Sequence, residues 1–288
     1  LPLSKDFRCL AVIGPNAHDR RNQLADYSYT AMRQMMQLKH PEDSQFTNLD
    51  ERALAPHDVK ITTVLEGIAA GVSAETRVLY APGCDTMEGD DADIVAAMDV
   101  AAQADAVVLV VGDKSGLTPE CTTGETRDSA DLLLPAIQEK LCRAILATGK
   151  PVAAVLITGR PYAVTTLAEG ASAIVQAWLP GEEGGAAVAD VLLGSVNPGG
   201  KLPITIPRSV GQVPIFYNSK PAGTRSHWYG DYVFEKTEPL YPFGHGLSYT
   251  TFEYSDLNIT PVQAAAGGHV DLSFKVKNTG TTAGDEVI

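Results

Sequence analysis

Two glutamates, Glu120 and Glu125, sit in one polar stretch, GDKSGLTPECTTGETRDSAD (residues 112–131), with Arg127 and Asp128 close behind and no lysine beside either of them. A carboxylate without a cation next to it in the sequence is suited to hold a ligand hydroxyl or to exchange a proton. A linker would consist mainly of Gly, Ser and charge runs. Here Pro119, Cys121 and several threonines are mixed with the glutamates, which is the make-up of a shaped binding loop. Cys121 is a poorer candidate. As a nucleophile it would need a base, and no histidine lies near it in the sequence.

The elements on either side must hold such a loop. Residues 106–112 (AVVLVVG) are a continuous apolar run, the pattern of a strand buried on both faces. Residues 132–148 read as a helix closed by Gly149, with Pro135 in its first turn. In an open α/β sheet, ligands bind beyond the carboxyl ends of the strands, and a long loop inside a compact domain is usually functional or disordered.

The same alternation runs along the chain. Strands are expected at 7–14, 77–81, 106–112, 151–158 and 171–178, and helices at 62–71, 91–103, 132–148, 162–169 and 186–193. This is the pattern of an α/β fold: a doubly wound, largely parallel sheet. Residues 19–57 read as polar and irregular. They follow the first strand, where a ligand loop would lie, and Tyr27 and Tyr29 there have the form to stack on a sugar or to pack on the domain. The turn GEEGG (181–185) has neither GxGxxG nor GxxxxGK[ST], so its glycines read as a means of close helix–sheet packing and not as a phosphate site.

From Asn197 the character changes. The prolines of 197–208 place that segment at an edge or on the surface. Residues 212–248 are rich in Tyr, Pro and Gly and contain RSHWYGDY (225–232), an aromatic wrap able to cover the sheet or line a carbohydrate cleft. Apolar and polar residues then alternate over 252–260 and 270–277, as in the first strands of a β-sandwich. Such a domain takes about 100 residues, so this one is incomplete.

Composition narrows the function. The formal net charge is −13 over 288 residues, which argues against nucleic acid and an anionic membrane surface and suits a neutral or cationic small molecule. No apolar run reaches the roughly 18 residues of a membrane span. No signal peptide is visible at Leu1, which leans the reading toward the cytoplasm. The chain reads as a piece of a longer protein. The four cysteines show no CxxC pair and no metal-ligand spacing, and Cys9 and Cys142 fall in apolar patterns as buried thiols.

Several stretches together resemble glycoside hydrolase family 3, the β-glucosidase and β-xylosidase family. They are GPNA (14–17), LVVGDKSGLTPE (109–120), RDSADLLLP (127–135), the run from WLPGEEGG to PIFYN (178–218), and PLYPFGHGLSYTTFEYS (239–255). The resemblance implies a family 3 C-terminal α/β sandwich over 1–249 and the beginning of a fibronectin-III-like domain over 250–288. It implies retaining hydrolysis of terminal, non-reducing β-D-glycosyl residues. The nucleophilic aspartate would then lie on an N-terminal (β/α)8 barrel of the same protein.

Retaining chemistry needs two carboxyl groups about 5 to 5.5 Å apart: one attacks the anomeric carbon, the other protonates the leaving oxygen and then deprotonates water. In the family the acid/base comes from the loop where Glu120 and Glu125 lie. Glu120 is the first choice and Glu125 the second. Glu125 falls where many members have Glu-Gly before Asp-Arg, but here Thr126 replaces the glycine and Arg127-Asp128 reverses the order. The other glutamate would hold the loop, for instance through Arg127.

Asp26 and Tyr27 match a loop that approaches the active site in some members, and His227, Trp228 and Asp231 would line outer subsites. The partners implied are a β-linked glucoside or oligosaccharide and the barrel, with a homodimer left open. No metal or organic cofactor is required. The competing readings are a non-catalytic carbohydrate-binding or scaffold module of the same fold, and a nucleotide-binding protein, against which the missing phosphate fingerprint argues.

Overall fold

The structure is a computed structural model and describes residues 1–37, 59–218 and 234–288. Five parallel strands form one sheet: β1 (Cys9–Ile13), β2 (Arg77–Ala81), β3 (Ala106–Gly112), β4 (Val152–Ile157) and β5 (Ala173–Gln176), in the order β2-β1-β3-β4-β5. Every residue of β1, β3 and β4 is buried, as a sheet covered on both faces requires. Alternate side chains feed two cores. Ala11, Ile13, Leu109 and Val111 pack with α3 (Asp91–Ala102), α4 (Ala136–Leu146) and α5 (Thr165–Gly170). Leu10, Val12, Val108 and Val110 pack with α2 (Val64–Gly71) and α6 (Gly184–Leu192). Each of the Val, Leu and Ile side chains among them contributes about 1.5–3 kcal/mol by leaving water.

Elements start where local chemistry allows. Thr63 and Glu66 close a capping box at α2: the Thr63 hydroxyl accepts the Glu66 N–H at 3.2 Å and Glu66 accepts the Thr63 N–H at 2.9 Å. Asp90 accepts the Asp93 N–H at the head of α3. The helix expected from 132 starts only at Ala136, because Pro135 keeps an extended ψ of 140° and Asp131 first binds the N–H groups of Leu132 and Leu133 in a turn. Within residues 19–57, expected to be irregular, a helix forms, α1 (Tyr29–Gln37).

The glycine-rich turn serves packing, although its partner is a helix and not the sheet. A Cβ on Gly185 would stand 2.1 Å from the Thr63 carbonyl oxygen at the head of α2. Only glycine lets α6 approach α2 this closely.

Beyond the sheet, Ile206 and Tyr241 form an isolated antiparallel bridge, in keeping with the edge placement of the proline-rich segment. β6 (Phe252–Thr260) and β7 (Asp271–Asn278) pair antiparallel as a separate two-stranded sheet. Asn197 ties this hairpin to the α/β part. Its side-chain oxygen accepts from Ser248 Oγ and the Tyr249 N–H, and its amide donates to Ala283 O.

The strand order matters for function. From β1 the chain passes α2 on one face to reach β2; from β3 it passes α4 on the other face to reach β4. The connections leave β1 and β3 in opposite directions, and at such a switch point a crevice opens beyond the carboxyl ends of the two strands. The loops after β1 and β3 meet there.

Candidate active-site loop

The loop after β3 begins from a rigid point. At Gly112 the chain takes φ +143°, and a Cβ there would lie 2.0 Å from Ile157 O on β4. The fully buried amide of Gln138, from α4, accepts the Gly112 N–H at 2.8 Å and donates to both Gly112 O and Thr86 O, at 2.8 and 2.7 Å. The sequence does contain a sign of this. Gln138, Leu141, Cys142 and Ile145 follow helical spacing and all are buried, so a glutamine occupies an apolar-face position. The reading from sequence passed over it.

Next comes Asp113, also fully buried. Its carboxylate accepts the Thr122 hydroxyl at 2.7 Å, the Tyr162 hydroxyl at 2.5 Å and the Gly159 N–H at 2.9 Å. Burial, followed by the facing Asp113 charge, pushes the Tyr162 phenol far above its usual range, so it remains a donor. Residues 114–116 then run beside 122–124, with Gly116 N–H to Thr123 O and Thr122 N–H to Lys114 O both at 2.9 Å. Two arginines secure the outside. Arg160 donates to Thr122 O and Arg127 O. Arg21, from the β1 loop, donates to Ser115 O.

The loop thus presents its two glutamates on separate turns. Both are exposed. Glu120 is held by Lys114 Nζ at 3.5 Å and Gln34 Nε2 at 2.9 Å. The Thr118 hydroxyl, its own backbone N–H and Lys114 together hold its carboxyl below the usual range, against the upward push of partial burial. The sequence suggested no lysine beside it; the pairing of 114–116 with 122–124 folds Lys114 back onto it.

Glu125 stands differently. Its carboxylate accepts the Tyr27 hydroxyl, and its backbone N–H donates to Asp26 Oδ2 at 3.1 Å. Asp26 and Tyr27, singled out on the β1 loop, are therefore brought to Glu125 across the switch point. Tyr27 remains 64% exposed, so its ring is open to a partner or a sugar rather than packed on the domain. Thr126 takes φ 64°, a left-handed conformation that favours glycine. Arg127 donates to Pro119 O, which ties the two turns together through the main chain.

All four cysteines are free and buried, and burial raises the Cys84 thiol to about 12. Cys121 lies against the Thr118 hydroxyl at 3.2 Å. His227, Trp228 and Asp231 lie outside the described residues. Among the described residues, no group of three or more His, Cys, Asp or Glu is placed to hold a metal ion, and no helix is long and apolar enough to cross a membrane.

A sheet of this order, with such a loop at its switch point, has close counterparts. Residues 1–249 match the model of the glycosyl hydrolase family 3 C-terminal domain. The chain belongs to this family. A β-xylosidase of Formosa agariphila is 40% identical over the whole chain, and a periplasmic β-glucosidase of Salmonella typhimurium is 34% identical. The chain spans 36% and 37% of the length of these curated relatives. Among solved structures, a β-glucosidase from Erythrobacter marinus superposes with a TM-score of 0.76 at 33% identity, over 99% of this chain and 37% of that one. A β-glucosidase of saponin metabolism from intestinal bacteria gives 0.77 at 30% identity, over 97% and 40%. The α/β sandwich expected from the sequence is thus the fold found, with a small antiparallel sheet after it.

Proposed function

We propose that the chain is the acid/base-bearing part of a longer retaining β-glycosidase, with Glu125 as the general acid/base. The substrate is a β-linked glucoside or oligosaccharide, from which a terminal, non-reducing β-D-glycosyl residue, most readily β-D-glucosyl, is removed. The nucleophilic aspartate lies on an N-terminal (β/α)8 barrel, and residues 250–288 open a fibronectin-III-like module. The β-xylosidase and β-glucosidases among the similar proteins support the reaction class.

One observation carries the choice of Glu125: it sits at the crevice, next to a residue that keeps a glycine-like φ and against the Asp26–Tyr27 pair of the opposing loop. Glu120 is instead held below the usual carboxylate range, first by the Thr118 hydroxyl and also by Lys114 at 3.5 Å. An acid must carry a proton into the transition state, and a carboxylate paired with an ammonium gives one up too readily. Glu125 can use one oxygen to accept from Tyr27 while the other faces the glycosidic oxygen. In the first half-reaction it protonates that oxygen as the nucleophile attacks; in the second it takes a proton from water.

The test uses the full-length protein with Glu125→Ala and Glu120→Ala, on cellobiose and on an aryl β-glucoside with a good leaving group, with and without azide. Only Glu125→Ala should lose cellobiose turnover selectively, and azide should restore its turnover of the activated substrate. The opposite pattern moves the acid to Glu120. If neither variant behaves this way, the acid lies off this loop. The fragment alone should turn over neither substrate.

A further inference from the structure

We infer that the buried carboxylate of Asp113, with Thr122 and Tyr162, is a positioning anchor that sets where the acid/base glutamate stands; this rests on the glycosidase reading above. Asp113 touches no substrate. It lies at the end of β3 with 0% exposure, below the turns that carry Glu120 and Glu125. A buried carboxylate is tolerated only when its oxygens are hydrogen-bonded. Here three donors meet it from three places: Thr122 Oγ on the loop itself, Tyr162 OH from the segment before α5, and the Gly159 N–H at the end of β4.

The backbone of Asp113 is fixed as well. Its N–H donates to Ile157 O at 2.7 Å and its carbonyl accepts from Asn16 Nδ2, on the β1 loop, at 2.8 Å. One residue therefore joins the ends of β1, β3 and β4 to the middle of the loop. Charge-assisted bonds of this kind are short and directional. Thr122 is where the anchor reaches the loop, and its carbonyl is held independently by Arg160 at 3.0 Å.

A general acid is effective only when held within a fraction of an ångström of the leaving oxygen. Loss of the Thr122 hydroxyl should let the loop drift while the sheet stays folded. The damage should then fall on the step that needs the proton and spare a leaving group that departs without one. A merely structural role would depress all substrates together.

The experiment compares Thr122→Val, which keeps the shape and removes the hydroxyl, with Thr122→Ser, which keeps the hydroxyl, and with Tyr162→Phe, all in the full-length protein. Thr122→Val should lose about ten- to a hundredfold in kcat/KM on cellobiose and less than about threefold on the activated aryl glucoside. Thr122→Ser should stay within about threefold of wild type on both. Tyr162→Phe should resemble Thr122→Val more weakly. Backbone amides of 114–127 should exchange faster in Thr122→Val, with those of β1, β3 and β4 unchanged. The inference is overturned if Thr122→Val and Thr122→Ser match each other in turnover and exchange. It is overturned too if Thr122→Val loses both substrates equally with faster exchange throughout the sheet. If wild type turns over neither substrate, the glycosidase reading fails, and the exchange comparison alone decides whether Asp113 anchors the loop.

Discussion

The two turns of the loop after β3 carry the same side chain in opposite settings. The Glu120 turn is the more enclosed: Thr118 and Lys114 from the loop itself and Gln34 from α1 surround the carboxyl, and Cys121 beside it is buried. The Glu125 turn reaches outward, to a phenol that is itself mostly exposed and to the Asp26 carboxylate, and it follows Gly124 at φ +124°. On the reading proposed above, the first carboxylate holds the loop and the second moves the proton. The difference comes from how the strand segments beside each turn pair, and not from the glutamates themselves.

The sharpest way to break this comparison is to remove the glutamates in turn. Glu125→Ala should lower kcat on cellobiose by about 10²–10⁴-fold, and Glu120→Ala should not. Equal losses would erase the distinction between the turns. Next in size, Tyr27→Phe removes the donor from Glu125 but keeps the ring. It should cost about tenfold in kcat on cellobiose with a smaller change in KM, the mark of an interaction made in the transition state. A rise in KM alone would make Tyr27 a sugar-stacking residue instead. Glu120→Gln, which keeps the shape and removes the charge, should stay within about threefold of wild type in kcat/KM.

The smallest effect is on stability. Because Glu120 is held below its usual range when folded, its contacts stabilise the protein above the unfolded carboxylate value, and that contribution is lost as pH falls through the lowered folded value. The side chain is 47% exposed, so solvent screens the pair and the contribution is well under about 1 kcal/mol. Denaturant unfolding should find Glu120→Gln slightly less stable than wild type at pH 7, with the gap closing as pH is lowered toward 2. A gap that widened in acid would mean that Glu120 is not held as an anion.

Much of the architecture was legible because parallel strands buried on both faces leave uninterrupted apolar runs. Ala106–Gly112 begins and ends where its apolar run does; the partly exposed Arg77–Ala81 and the antiparallel, alternating Phe252–Thr260 also match their expected bounds. Element boundaries set by caps were harder to read: Pro135 looked like a first-turn residue, and it is the extended residue before α4. The site was legible as a loop and not as a geometry. Glu120, Glu125, Asp26 and Tyr27 could all be named, but Lys114 is brought to Glu120, and Tyr27 to Glu125, only by pairing across the loop and across the switch point. Asp113 and Gln138 carry no motif, and their importance rests on partners distant in sequence, such as Gly159, Tyr162 and Thr86.

Local sequence alone determined the alternation of strand and helix, the long polar loop and the family, because hydrophobic period and turn chemistry act over a few residues. Only the tertiary structure decided which partners each glutamate meets: Lys114 and Gln34 for Glu120, Tyr27 and Asp26 for Glu125. That choice depends on the strand order β2-β1-β3-β4-β5, which sets the β1 and β3 loops side by side, and on a buried carboxylate whose donors come from three separate segments. Contacts between segments so far apart in the chain have no local signature; they exist only once the sheet has formed.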